Sequence, residues 1–200
     1  TRKGERLNLI WHLKAQGERG LLSERNRVQV LLSGGDAYPL LTGCLDWPEG
    51  RPRILGNDPS RGRGSDFIID QALESTPSKA LQPPGGFSVR LHWLQGLSLP
   101  HSRRLLQVVN GRVLRDRVLQ QAMLLSFRQA LLPGQYPALA LFIEIDPAEL
   151  DINVHPTKTE VRFLHVQQIF RCVQSLVHAL IQKEGNPVFV PAQGPAGAAT

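Results

Sequence analysis

Between Glu5 and Gln16 the apolar residues Leu7, Ile10, Trp11 and Leu13 recur at helical spacing, which predicts a short amphipathic helix stopping at Gly17. From Arg27 to Ser33 the period changes. Val28, Val30 and Leu32 alternate with polar neighbours and run into Gly34-Gly35-Asp36, a pattern that predicts a strand, a hairpin turn and a returning strand from Tyr38 to Cys44. The stretch Trp47 to Ser65 has no period. Pro48, Pro52, Gly56, Pro59, Gly62 and Gly64 punctuate it and Arg51, Arg53, Arg61 and Arg63 charge it, so it reads as a long basic loop. A short helix over 66–74 and a second breaker run, Pro77 to Gly86, complete an irregular basic region over 47–86.

Alternation returns at Phe87, Val89, Leu91 and Trp93, set against Ser88, Arg90 and His92, which predicts an antiparallel strand with one buried and one wet face. Arg103 to Val109 reads as a second strand, closed by Asn110-Gly111, a dipeptide suited to the positive φ angles of a tight turn. Asp116 can cap a helix whose apolar face runs through Val118, Leu119, Ala122, Met123, Phe127, Ala130 and Leu131, with Pro133-Gly134 as its end. Ala138 to Ile145 is almost continuously apolar, as in a central strand covered on both faces. Leu150, Ile152 and Val154 alternate with Asp151, Asn153 and His155 until Pro156 stops the pairing. A short strand over 160–163 and a clean amphipathic helix through Val166, Ile169, Val173, Leu176 and Leu180 follow.

These elements sum to an α+β domain, a mixed sheet with two long helices from the second half packed on one face. Residues 1–183 form the domain, and the Gly-, Pro- and Ala-rich stretch 184–200 reads as the start of a flexible linker. The chain begins at Thr1 within a charged segment, as a piece of a longer protein does. A hydrophobic share of 42% and a charged share of 20% are ordinary for a globular domain. With Cys44 and Cys172 as its only cysteines, the chain has neither a disulfide framework nor a cysteine zinc site, and reads as an intracellular protein with reduced thiols. No apolar run approaches the ~18 residues needed to span a bilayer, so neither a membrane nor secretion is predicted. The net charge of +6 fits a polyanionic partner and equally fits simple solubility.

Two constellations could carry chemistry. In the tract 151–163 a strand ends at Pro156 and leaves Lys158 in a tight loop, where an ammonium can be offered to an anion such as a phosphate held by another domain. The same pattern also fits a solvated loop lysine beside a polar strand face. Arg103, Arg104, Arg112, Arg115 and Arg117 surround the Asn-Gly turn and a helix start, where guanidinium groups can contact successive phosphates of a duplex or form a solvated rim. His155 and His165 have no companions at a metal-ligand spacing, so no metal site is predicted. Nucleotide-binding loops of the G-x-x-x-x-G-K-[ST] and G-x-G-x-x-G types, the G-x-S-x-G elbow and H-E-x-x-H do not occur, and no self-sufficient catalytic set is found.

The order Val109-Asn110-Gly111-Arg112, Arg115-Asp116-Arg117, Leu139 to Asp146, then Asp151-Ile152-Asn153-Val154-His155-Pro156-Thr157-Lys158 and Glu160-Val161-Arg162-Phe163 resembles the MutL family of DNA mismatch repair proteins. The resemblance is specific from Gln107 to about Leu180. It implies the transducer domain that follows a GHKL-type ATPase domain, with the fold of the second domain of ribosomal small-subunit protein five. Lys158 then corresponds to the lysine that reaches the γ-phosphate of ATP, while Asn110, Gly111, Asn153, His155 and Pro156 shape the loops. Arg117 corresponds to a DNA-contacting arginine, with Arg112 and Arg115 as neighbours.

By the same resemblance, ATP and Mg2+ are held by the ATPase domain and none is bound by this segment alone, which should not hydrolyse ATP by itself. The implied partners are DNA, a mismatch-recognition protein of the MutS type and a second copy of the protein in an ATP-dependent homodimer. The implied location is the bacterial cytoplasm at the nucleoid, or the nucleus. The competing reading is a stand-alone nucleic-acid or protein interaction module of the same fold with no nucleotide role.

Overall fold

The apolar run ending at Ile145 becomes an interior strand of the sheet, for the reason its composition gives: both of its faces are covered. The computed structural model describes residues 17–34, 38–48, 52–55, 66–68, 86–125, 127–128, 131–151, 161–184 and 190–191. The strands are β1 (Leu40–Trp47), β2 (Arg53–Leu55), β3 (Asp66–Ile68), β4 (Phe87–Leu99), β5 (Leu105–Val109), β6 (Arg112–Leu114), β7 (Tyr136–Ile145), β8 (Leu150–Asp151), β9 (Arg162–Phe163) and β10 (Val190–Pro191). The helices are α1 (Gly17–Ser33), α2 (Arg117–Leu125) and α3 (Val166–Glu184).

The main sheet runs β3-β2-β1-β4-β7-β5-β6, with β10 added beside the end of β4. It is mixed: β7 pairs antiparallel with β4 and parallel with β5. The long strand β4 slips register between Leu94 and Ser98, where Gly96 supplies a φ of +73° that the bulge requires. Beyond that bulge Leu97 and Ser98 pair in parallel with Val190 and Pro191, inside the stretch that reads as linker in the sequence.

Alternation along β4 and β7 deals side chains to two cores. On one face Leu91, Trp93, Leu139, Leu141 and Ile143 meet Leu119 and Met123 of α2 and Ile169, Val173, Leu176 and Leu180 of α3. Trp93 meets Phe127 edge-to-face with ring centroids 5.2 Å apart, burying a large apolar pair in the centre of this core. The two helices of the second half therefore share one face, as the sequence predicts. The other face is covered by α1, whose Val28 and Leu32 pack with Leu94, Ala138, Ala140 and Phe142.

That helix corrects two readings of the sequence. Gly17 starts a helix, and 27–33 is its C-terminal half, not a strand. Val28 and Leu32 are four residues apart and fully buried, whereas Val30 lies on the opposite side with 66% of its surface exposed. A helix face sampled at i and i+4 and a strand face sampled at i and i+2 share two of these three positions, so the short pattern was ambiguous. The segment from Tyr38 onwards does form a strand, but β1 pairs with β2 and β4 rather than closing a hairpin with 27–33. The helix predicted over 5–16 lies outside the described residues.

Three smaller corrections follow. Residues 66–68 pair with β2 as a strand where a helix was predicted, and in the same irregular stretch Ile54 is fully buried. The predicted helix running to Leu131 ends at Leu125, and the chain turns so that Phe127 enters the core, with its N–H donating to the Leu124 carbonyl at 3.0 Å. Of the polar face of β4, predicted to be wet, His92 is wholly buried under α1.

Burying His92 requires partners, and α1 supplies the main one. Glu24, 1% exposed, accepts from Nε2 of His92 at 2.8 Å and from Nε of Arg90 at 3.1 Å. Arg90 also donates to Glu144 at 3.0 Å, and Oγ1 of Thr42 lies 3.0 Å from Nδ1 of His92. A neutral His92 satisfies every one of these atoms, with Nε2–H donating to Glu24 and Nδ1 accepting from the Thr42 hydroxyl. Arg25 and Gln29 of α1 donate to the carbonyls of Leu40 and Tyr38, and Arg104 donates to the carbonyl of Leu32 at the helix end, where backbone acceptors lack helical partners.

This network predicts a pH dependence of stability. Burial, with the positive charges of Arg25 and Arg90 nearby, holds His92 below its ordinary value of 6.5 even though Glu24 pulls the other way. Burial alone would raise Glu24, but the His92 hydrogen bond and the charges around it outweigh burial and hold its carboxyl below 4.5. Both folded-state values are depressed, so the stabilisation is complete above the unfolded values and is lost as pH falls through the folded ones. The urea midpoint is expected to drop as pH falls below 6.5, the unfolded value for His92, and to drop again below 4.5. His92→Gln should flatten the first of these steps; an unchanged pH profile in that variant would remove His92 from the account.

Candidate nucleic-acid interface

Strands β5 and β6 are joined by the two residues Asn110 and Gly111, with Val109 paired to Arg112. Their φ angles of +48° and +77° are those of a tight hairpin turn matched to the twist of the strands. Around Gly111 there is open space for a side chain, so what the glycine contributes is its backbone conformation.

Asn110 does more than tolerate the turn. Its Nδ2 donates to the Ile145 carbonyl at 2.8 Å, its Oδ1 accepts from the Ile145 N–H at 3.0 Å, and its own N–H donates to the Ile143 carbonyl at 2.9 Å. The amide side chain carries its donor and its acceptor on separate atoms, and here both are spent fastening the turn to the end of β7.

The basic residues project from this fastened frame. Arg112, Arg115 and Arg117 are exposed, while Val113 and Leu114 between them turn inward. Asp116 does not neutralise its neighbours. Its Oδ1 accepts from the Leu119 N–H at 2.8 Å as the cap of α2, and its own N–H donates to Oε1 of the buried Gln107 at 2.7 Å. Among the described residues none of the three arginines has an ion-pair partner, so their charges face solvent. Arg104 leaves the basic set, because its guanidinium is committed to the end of α1, whereas Arg103 remains exposed.

Lys158, Asn153, His155 and Pro156 lie outside the described residues, but both ends of their segment are placed. Leu150 pairs with Phe163 and Asp151 with Arg162, so β8 and β9 bring the two ends of 152–161 together. Phe163 is buried in the core formed with α2 and α3, and the Leu164 N–H donates to the Glu149 carbonyl at 3.1 Å. The segment therefore starts a few residues beyond Ile145, the residue that Asn110 grips. Beside Ile145 lies a depression lined by Asp46, Glu144 and Asp146, of which Glu144 is paired with Arg90. No group of three His, Cys, Asp or Glu able to hold a metal ion occurs among the described residues. No helix among them is long and apolar enough to cross a membrane.

Sequence reasoning found the turn, the cap and the arginines but not the clasp on Ile145, because a residue 35 positions away leaves no local signal. It also missed Arg128, which stands with Arg117 along a groove beside α2.

Residues 94–182 match the family model described as DNA mismatch repair protein, C-terminal domain. The chain is 49% identical to DNA mismatch repair protein MutL of Geobacter sulfurreducens over 163 residues, which is 76% of this chain and 26% of that protein. It is 38% identical to the MutL of Syntrophotalea carbinolica over 146 residues, 70% of this chain and 20% of that protein. Among solved structures, the N-terminal domain of a DNA repair protein aligns with 50% of this chain and 31% of its own length, at 16% identity and a TM-score of 0.43, a likeness too low to argue from. The chain thus spans only about a fifth to a quarter of the length of these curated relatives. With the family model lying over β5, the Asn110-Gly111 turn, α2, β7 and α3, the chain belongs to the MutL family of DNA mismatch repair proteins.

Proposed function

We propose that this chain acts in DNA mismatch repair as the part of a MutL-type coupling protein that holds the DNA backbone and reports on bound nucleotide. The observation that carries the DNA half is the frame just described: Arg112, Arg115 and Arg117 are exposed, without ion-pair partners among the described residues, on a turn fastened to β7 and a capped helix start. Backbone phosphates need positive charge at fixed positions and no base-specific pocket, which is what this frame offers.

The nucleotide half rests on the sequence of the tract that ends in Lys158. Mg-ATP is held by a separate GHKL-type domain in this reading, and the contribution of this chain is a positive charge offered to the γ-phosphate, present in ATP and absent from ADP. Binding of DNA is thereby linked to the nucleotide state through one domain. A mismatch-recognition protein of the MutS type and a second copy of the protein are the partners this role requires.

The DNA assignment is tested by Arg117→Glu. Duplex binding at low salt should weaken by about tenfold or more, while the urea midpoint stays within the small range typical of exposed substitutions. Wild-type affinity in that variant would sink the assignment.

A further inference from the structure

The groove beside α2 differs in character from the arginine turn. It is lined by Arg117, the first residue of α2, by Arg128, beyond its last, by the half-buried Leu124, Leu125 and Leu131, and by the exposed Leu132. Leu132 is 69% exposed and adds its apolar surface to that of the half-buried leucines beside it. No carboxylate lines the groove among the described residues, and neither arginine has an ion-pair partner there.

We propose that this groove docks a short acidic segment of a partner protein, with apolar side chains on the leucines and a carboxylate at each end on Arg117 and Arg128. The dimensions agree. Nine helical residues make α2 about 13 Å long, a span that about four extended residues cover. Gln120 and Gln121, on the same wall, offer side-chain donors and acceptors to a peptide backbone. A phosphodiester chain would use the two arginines but leave the leucines without an apolar partner, so the groove favours a peptide over DNA.

Arg117 is shared with the proposed DNA-contacting set, so peptide and duplex compete for it, whereas Arg128 and Leu132 lie outside that set and carry the test. The test uses the 200-residue chain and a fluorescein-labelled peptide, Glu-Asp-Leu-Phe-Leu-Leu-Asp-Glu, with its Asn/Gln counterpart as control. The acidic peptide should bind saturably, with affinity about tenfold lower for the neutral peptide and about tenfold lower for Arg128→Glu and for Leu132→Asp. Duplex DNA binding should change by no more than about twofold in either variant, and both sites are exposed enough to leave folding intact. Absence of saturable binding, or peptide affinity unchanged in both variants, overturns the proposal. So does a loss of DNA binding in Arg128→Glu equal to that in Arg117→Glu, which assigns the groove to nucleic acid.

Discussion

Replacing Glu24 with alanine is expected to cost about 2–4 kcal/mol of folding stability, because it leaves the buried His92 without its acceptor and the half-buried Arg90 with Glu144 alone. Against a typical total of about 5–15 kcal/mol, that is enough to undock α1 from the sheet or unfold the domain near room temperature. Urea unfolding monitored by tryptophan fluorescence gives the number directly. A second set separates charge from packing: Glu24→Met, Arg90→Met, His92→Leu and Thr42→Val together remove the buried network and should restore much of the loss. A cost below about 1 kcal/mol for Glu24→Ala would mean that the apolar contacts of Val28 and Leu32 hold the helix alone.

The reach of the sequence is clearest at this helix. Where an apolar pattern is long, as in 166–180, or continuous, as in 138–145, the period or its absence determines the element, and the structure agrees. Where it is short, as in 27–33, helix and strand predict nearly the same burial, and the deciding contacts are remote. Glu24 pairs with residues 66 and 68 positions away, which no local period encodes. The same applies to the wet face assigned to β4: His92 and Arg90 read as solvent-facing because the carboxylate that allows their burial sits on another element.

Replacing Lys158 with alanine is expected to lower ATP turnover by about 100-fold in a protein in which the GHKL-type ATPase domain precedes this segment, the usual scale for losing one positioned charge or donor at a reacting phosphate or oxyanion. Lys158→Arg, which keeps the charge but changes its shape and reach, should recover part of the rate. ADP affinity should be unaffected by either change, since the contact is made to the phosphate that ADP lacks. An unchanged rate in Lys158→Ala would leave the lysine as a solvated loop residue and remove the nucleotide half of the proposed function.

The candidate site divides along the same physical line as the fold. Asn110-Gly111 and the Asp116 cap are encoded within a few residues, so the turn, the helix start and the exposure of Arg112, Arg115 and Arg117 could be read in advance. The rigidity of that frame could not, since it depends on Asn110 gripping Ile145 and on Gln107 holding Asp116. Nor could the groove at Arg128, which exists only because the helix stops at Leu125 and the chain turns back past Leu131 to β7.

The most direct test of the central claim is the salt dependence of duplex binding by the chain and by its Arg112→Gln, Arg115→Gln, Arg117→Gln triple variant. Each phosphate contact neutralised by a cation contributes about 0.9 to the slope of log affinity against log salt concentration. The three exposed arginines therefore predict a slope shallower by between about 1 and 3 in the triple variant, with the fold intact. Equal slopes for the two proteins would place the DNA backbone elsewhere and contradict the interface described above.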